Sequence, residues 1–229
     1  MSSDRIRAVI FDLDGTLINS TIDFRLMRER VVSYLLANGI PSEIVNSNDT
    51  VTSNLTRFRS FMREKGSEIT LEKMELELNS LLIEVELKGV EKTTQIGGAR
   101  EILRTLRGSN YRTGLLTRGS RTYAMIALAA AGLQNRCFDI VICRDDFPAS
   151  EAKPDGRAMK RVAESLGLST GECLMVGDHP IDMHCAVAAG STFIGVLSGW
   201  SDAEKWKASD CRNIVQSIAN LPDWLRNNS

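Results

Sequence analysis

The sequence predicts an α/β fold, in which helices cover both faces of a parallel sheet and a small all-helical domain is inserted after the first strand. Two observations predict the sheet: a short β-branched run at residues 6–11, and a regular alternation of apolar runs with helical stretches from Gly97 onward. A third predicts the insertion, because apolar residues between Ile18 and Lys92 recur at helical spacing.

The predicted elements follow in order along the chain. The first strand, residues 6–11, leads directly into acidic residues and Gly15, so a functional loop is expected there. The insertion contains a helix at residues 55–64 and two helices with apolar faces, which comprise Phe24, Met27, Val31 and Leu35, and Leu71, Met74, Leu78, Leu81 and Val85. Further strands are predicted at residues 113–116, 139–143, 173–176 and 192–196, alternating with helices at residues 101–106, 121–131, 156–166 and 183–189. We therefore assign residues 1–17 and 93–229 to a Rossmann-like core and residues 18–92 to a helical domain.

Composition restricts the possible partners. Hydrophobic residues make up 43% and charged residues 25% of the 229 residues, as in an average folded soluble protein. The net charge is −1 and both signs are interleaved, which argues against nucleic acid or a membrane surface as the partner. Five cysteines without a C-x-x-C pair argue against a disulfide framework or a zinc site. We expect a cytoplasmic protein that acts on a small molecule, and the sequence does not predict its oligomeric state.

Polar clusters follow four of the predicted strands. In a parallel sheet covered by helices, ligands bind at the carboxyl ends of the strands, so these clusters are expected to lie together. The clusters are Asp12-Leu13-Asp14-Gly15-Thr16, Thr117-Arg118-Gly119, residues 144–154 and Gly177-Asp178-His179-Pro180-Ile181-Asp182.

These clusters combine acids with groups that bind anions. Carboxylates that converge repel one another unless a cation neutralises them, and Mg²⁺ prefers oxygen ligands. Asp12, Asp178 and a backbone carbonyl near Asp14 would make such a site, while Lys153 and Thr117 could hold the oxygens of a phosphate group. The pattern indicates phosphoryl transfer.

The same residues resemble the haloacid dehalogenase superfamily. Its four motifs are matched in order by Asp12-x-Asp14-Gly15-Thr16, Thr117, Lys153-Pro154 and Gly177-Asp178-x-x-x-Asp182. The resemblance extends from Ile6 to about Gly199, and the helical insertion resembles the small cap of phosphoglycolate phosphatase-like members.

The resemblance implies a Mg²⁺-dependent phosphatase that hydrolyses a small-molecule phosphate monoester, such as phosphoglycolate or a sugar phosphate. In two steps, Asp12 forms an aspartyl-phosphate that water then hydrolyses, while Asp14 serves as general acid and then as general base. The implied catalytic residues are Asp12, Asp14, Thr117 and Lys153. The implied substrate-binding residues are Thr16, Thr117, Arg118, Gly119 and Lys153. The implied Mg²⁺ site comprises Asp12, Asp14 through its carbonyl, Asp178 and, in support of these ligands, Asp182.

Alternatives stay open at this point. A phosphomutase of the β-phosphoglucomutase type would keep every motif, whereas a dehalogenase would not need Asp14 and a catalytically silent binding protein would be expected to lack one of the key residues. Arg118 stands where related phosphatases often have Asn, so it either acts through its backbone N–H or adds a second cation near the phosphate. The insertion's Arg57, Arg59 and Arg63 either contact an anionic substrate or form a solvated face.

Overall fold

A computed structural model describes residues 5–228 and divides them into two compact units. The larger unit contains the described residues up to Ser20 and those from Val90 onward, and the smaller is Thr21–Gly89. These limits lie three residues inside the predicted helical domain at each end.

The larger unit is built on a six-stranded sheet in which every described pairing is parallel. Its strands are β1 (Ala8–Phe11), β4 (Arg112–Leu116), β5 (Ile140–Ile142), β6 (Cys173–Gly177), β7 (Thr192–Val196) and β8 (Ile214–Val215), in the order β5-β4-β1-β6-β7-β8. A separate two-stranded pairing joins β2 (Ile18–Asn19) to β3 (Thr94–Gln95). The predicted α/β fold with a parallel sheet is confirmed.

Burial explains the position of β1 in the middle of the sheet. All four of its residues are fully buried, because strands and helices cover it on every side. The larger unit's helices are α4 (Ala99–Gly108), α5 (Arg121–Ala130), α6 (Gly156–Leu166), α7 (Pro180–Ala189), α8 (Ala203–Ala208) and α9 (Leu221–Asn228). Within residues 5–228, none of the helices combines the length and apolar character that a bilayer crossing requires.

Three of these helices begin directly after the loops that carry the predicted site. The Ser120 hydroxyl accepts the Tyr123 N–H at the start of α5, and the Asp155 carboxylate accepts the Arg157 N–H at the start of α6. His179 Nδ1 caps α7 by accepting the Ile181 N–H at 3.1 Å. Each loop is therefore held at both ends, by a strand before it and a capped helix after it.

The smaller unit contains three helices, α1 (Phe24–Ala37), α2 (Val51–Glu64) and α3 (Glu68–Leu87), around an apolar core of its own. The predicted apolar face of α1 is buried at its later positions, but Phe24 is 56% exposed because it begins the helix. Arg57 pairs with Asp49 at 2.8 Å and Arg59 with Glu75 at 2.6 Å. These two arginines therefore hold together parts of the unit itself.

The sequence did not predict some of the observed strands and helices. The strands β2, β3 and β8 have two residues each, which is too short for a period-two pattern to be recognised. The helices α8 and α9 also lie beyond the last predicted strand. The other strands of the sheet differ from their predicted limits by at most two residues.

Candidate active site

The parallel register of the sheet brings the predicted clusters to one edge. Asp12 follows β1, Thr117 follows β4 and Asp178 follows β6, so all three lie at the carboxyl ends of neighbouring strands. Lys153 follows the edge strand β5 after an irregular segment, and its ammonium reaches back to Asp12. The four motifs therefore lie together, as predicted from their positions after the strands.

The Lys153 ammonium is the buried cation of this site. Its Nζ lies 2.5 Å from Asp12 Oδ1 and 2.6 Å from Asp182 Oδ1, and its side chain is only 2% exposed. Burial alone would lower the pKa of Lys153, but the two carboxylates outweigh this effect and raise it. Lys153 is therefore held in its charged form beside Asp12.

Carboxylates outnumber this cation. Asp12, Asp178 and Asp182 are all buried, and each offers an oxygen within 4.8 Å of those of the others. Burial is the main cause that raises the pKa of Asp12 well above its ordinary value, with Lys153 opposing it and the neighbouring acids adding to it. Burial, together with Asp182, also raises the pKa of Asp178 to about 7. A further cation would relieve this concentration of negative charge.

The three carboxylates differ in how their oxygens are used. Asp182 accepts from Lys153 with one oxygen and from the His179 N–H, at 3.2 Å, with the other. Asp178 Oδ2 accepts the Trp200 N–H at 2.6 Å, and Asp12 Oδ1 accepts from Lys153. Among the described residues, the second oxygens of Asp12 and Asp178 have no hydrogen-bond partner. These oxygens are of the type that Mg²⁺ binds, so the donor set fits the ion.

Gly15 allows the first motif to approach Asp178 closely. Its φ is +77°, a left-handed conformation that favours glycine, and a Cβ there would lie 2.3 Å from Asp178 Oδ2. A Cβ on Gly199 would lie 2.0 Å from the same oxygen. Backbone thus encloses one side of the Asp178 carboxylate, and a side chain at Gly15 or Gly199 would displace that carboxylate.

The second motif forms a short hydroxyl-centred turn. Thr117 is almost fully buried, and its Oγ1 accepts the Gly119 N–H at 2.9 Å. The Arg118 guanidinium donates to the backbone carbonyl of Lys153, and Arg144 donates to the carbonyl of Arg118 at 3.0 Å. The Arg118 side chain thus links the second and third motifs, a role that neither of the two hypotheses from the sequence included.

Thr16 and Asp14 complete the first motif. Thr16 is fully buried, and its hydroxyl has no hydrogen-bond partner among residues 5–228. Asp14 Oδ1 accepts a 2.5 Å hydrogen bond from the hydroxyl of Tyr123, in the first turn of α5. Sequence reasoning missed Tyr123, and its only sequence signal was its position six residues after Thr117.

Comparisons with known proteins agree with this geometry. A model of the haloacid dehalogenase-like hydrolase family matches residues 6–190. The chain is 28% identical over 229 residues to the phosphoglycolate phosphatase of Nitrosospira multiformis, covering 98% of this chain and 97% of that protein. It is 26% identical over 223 residues to the pyrophosphatase PpaX of Bacillus velezensis, covering 96% and 97% of the two chains.

A solved structure has a similar fold. The crystal structure of a hydrolase from Pseudomonas syringae superimposes with a TM-score of 0.71 at 26% identity, covering 96% of this chain and 98% of that one. The resemblance inferred from the four motifs is thus confirmed. Since the family model spans most of its length, this chain belongs to the haloacid dehalogenase-like hydrolases.

Proposed function

We propose that the chain is a Mg²⁺-dependent phosphatase that hydrolyses a small-molecule phosphate monoester through an aspartyl-phosphate intermediate. One observation carries the proposal: the Asp12 carboxylate follows the central strand and lies 2.5 Å from a buried ammonium, with Asp14 two residues further on. A nucleophilic carboxylate, a fixed cation and a second carboxyl group are what this chemistry requires of a protein.

In the first step an Asp12 oxygen attacks phosphorus in line, and the bond from phosphorus to the ester oxygen breaks. Asp14 gives its proton to the departing oxygen, which leaves as an alcohol. In the second step Asp14 takes a proton from water, whose oxygen attacks phosphorus and releases inorganic phosphate from Asp12. Lys153 and Thr117 hold the phosphoryl oxygens throughout, with the Gly119 backbone and the buried Thr16 hydroxyl as further donors.

Asp12, Asp178 and the Asp14 carbonyl would hold Mg²⁺. When bound, the ion supplies positive charge to the phosphoryl oxygens. Asp182 accepts hydrogen bonds at both of its oxygens, so we assign to it the support of Lys153 and of the loop after β6.

The relatives favour hydrolysis over isomerisation. They are named phosphoglycolate phosphatases and pyrophosphatases, so the phosphomutase alternative is not favoured. We propose a small phosphate ester as substrate, with phosphoglycolate as the first compound to test, and residues 18–92 as the cap domain. The five cysteines are free, which supports a cytoplasmic location.

The test is phosphate release from p-nitrophenyl phosphate, phosphoglycolate and a panel of sugar phosphates, with Mg²⁺ or with EDTA. We expect activity only with Mg²⁺ and its loss in Asp12→Asn. Asp223→Asn removes an exposed carboxylate in α9 and should keep full activity. Full activity in Asp12→Asn would contradict the nucleophile, and an isomerised sugar phosphate without free phosphate would indicate a mutase.

A further inference from the structure

Tyr123 is buried beside the first motif and binds one of its carboxylates. The residue is 0% exposed, and its hydroxyl donates to Asp14 Oδ1 at 2.5 Å across 109 positions of sequence. A buried tyrosine hydroxyl needs a hydrogen-bond partner, and a carboxylate is a strong one. This contact therefore links α5 to the loop that follows β1.

Backbone features on both sides fix the Tyr123 ring. Its N–H donates to Ser120 Oγ, 3.2 Å away, in the N-terminal cap of α5. A Cβ on Gly119 would lie only 2.8 Å from Cδ1 of the ring, so the absence of a side chain there makes room for it. The Gly119 N–H in turn donates to Thr117 Oγ1. Hydrogen bonds and close packing therefore join the loop that carries Thr117 to the Tyr123 ring that binds Asp14.

We propose that Tyr123 is a positioning residue that fixes the Asp14 carboxyl group for proton transfer. This inference rests on the proposed function. Because Tyr123 donates to Oδ1, a protonated Asp14 carries its own proton on Oδ2, and that proton passes to the leaving oxygen. The tyrosine acts only as a hydrogen-bond donor to Oδ1, and its own proton is not transferred in the step. Its contribution is orientation of the carboxyl group, which a single side chain in a loop does not provide by itself.

A series of aryl phosphates tests this role, because they share a shape and differ in how much their leaving groups need a proton. Phenyl phosphate has a poor leaving group and depends on general-acid catalysis, whereas dinitrophenyl phosphate has a good one and does not. The ratio kcat/KM reports only the steps up to release of the phenol, so hydrolysis of the intermediate does not affect it.

In Tyr123→Phe we expect kcat/KM for phenyl phosphate to fall by about 10-fold to 100-fold, part of what general-acid catalysis supplies. For dinitrophenyl phosphate kcat/KM should change by less than about threefold, because this leaving group departs with little help from a general acid. An equal fall with both esters, or no fall with either, would overturn the proposal. If the wild type hydrolyses none of these esters with Mg²⁺, the proposed function itself has failed.

Two further variants separate positioning from general damage. Tyr34→Phe removes a similar hydrogen bond in the smaller unit, from Tyr34 Oη to Glu77 Oε2 at 2.8 Å. This variant should leave kcat/KM unchanged for both phenyl phosphate and dinitrophenyl phosphate. In an Asp14→Asn background, adding Tyr123→Phe should change kcat/KM for p-nitrophenyl phosphate by less than about twofold, because general-acid catalysis is already lost. A further large fall in the double variant would show that Tyr123 acts on something other than Asp14.

Discussion

Replacing Lys153 by Met would remove the buried cation from the acidic cluster. The Lys153 side chain is 2% exposed and its two partners, Asp12 and Asp182, are 11% and 3% exposed. Methionine keeps a similar length and apolar stem, so the main change is the loss of one positive charge. Two carboxylates then stay buried without the ammonium that neutralises them.

The expected cost follows from that burial. Removing one partner of a buried ion pair costs roughly 3–5 kcal/mol, because the remaining charge is left uncompensated. For a chain of this size that corresponds to a fall in Tm of about 6–20 °C. Arg157, in the neighbouring helix α6, is 53% exposed and pairs with Asp155 at 2.9 Å. Arg157→Met should lower the free energy of unfolding much less than Lys153→Met, since exposed ion pairs contribute little.

The effect should also depend on pH. Burial is the main cause that raises the pKa of Asp12, and Lys153 opposes it, so in Lys153→Met this pKa rises further. The folded variant then binds more protons than the unfolded chain above the ordinary carboxyl pKa of 3.8. Its free energy of unfolding therefore falls as the pH rises. The difference between Lys153→Met and the wild type should be larger at pH 8 than at pH 5.

Tryptophan fluorescence during urea unfolding in EDTA provides the assay. All three tryptophans, Trp200, Trp206 and Trp224, lie in the larger unit, so their signal reports the unfolding of the unit that contains the site. A Lys153→Met variant no less stable than Arg157→Met at pH 8 would refute the reasoning about the buried charges.

Two further predictions concern the metal and a carboxylate outside the site. Mg²⁺ should raise the Tm of the wild type, because an ion that binds only the folded state stabilises it by mass action. Asp178→Asn should be at least as stable as the wild type in EDTA, but its Tm should not rise with Mg²⁺. Thermal unfolding of both proteins with and without the ion tests this. Asp139 accepts from the Thr113 N–H at 2.8 Å and from Arg112 at 3.1 Å; burial raises its pKa, but these two donors together lower it. Asp139→Asn should therefore cost about 1–2 kcal/mol at pH 7, and the two proteins should converge as the pH falls through the lowered pKa. A difference that does not shrink as the pH falls below the ordinary carboxyl pKa of 3.8 would contradict this.

The sequence by itself determined the fold class and the residues that come together. Three of the four motifs directly follow a short apolar strand, and Lys153-Pro154 follows one after an irregular segment. Helices separate the strands, so parallel pairing had to bring the motifs to one edge. Asp12, Thr117, Lys153 and Asp178 could therefore be grouped without coordinates. These inferences rest on local patterns, which depend on the spacing of apolar residues along the chain.

Only the tertiary structure decided which atoms meet at that edge. Asp14 Oδ1 accepts from Tyr123, the Arg118 guanidinium binds the Lys153 carbonyl, and Asp182 Oδ1 accepts from the Lys153 ammonium. None of these contacts follows from periodicity, because they join residues far apart in sequence through side chains whose directions depend on packing. The sequence named the groups that could perform the chemistry, and the packing between loops decided how each is held.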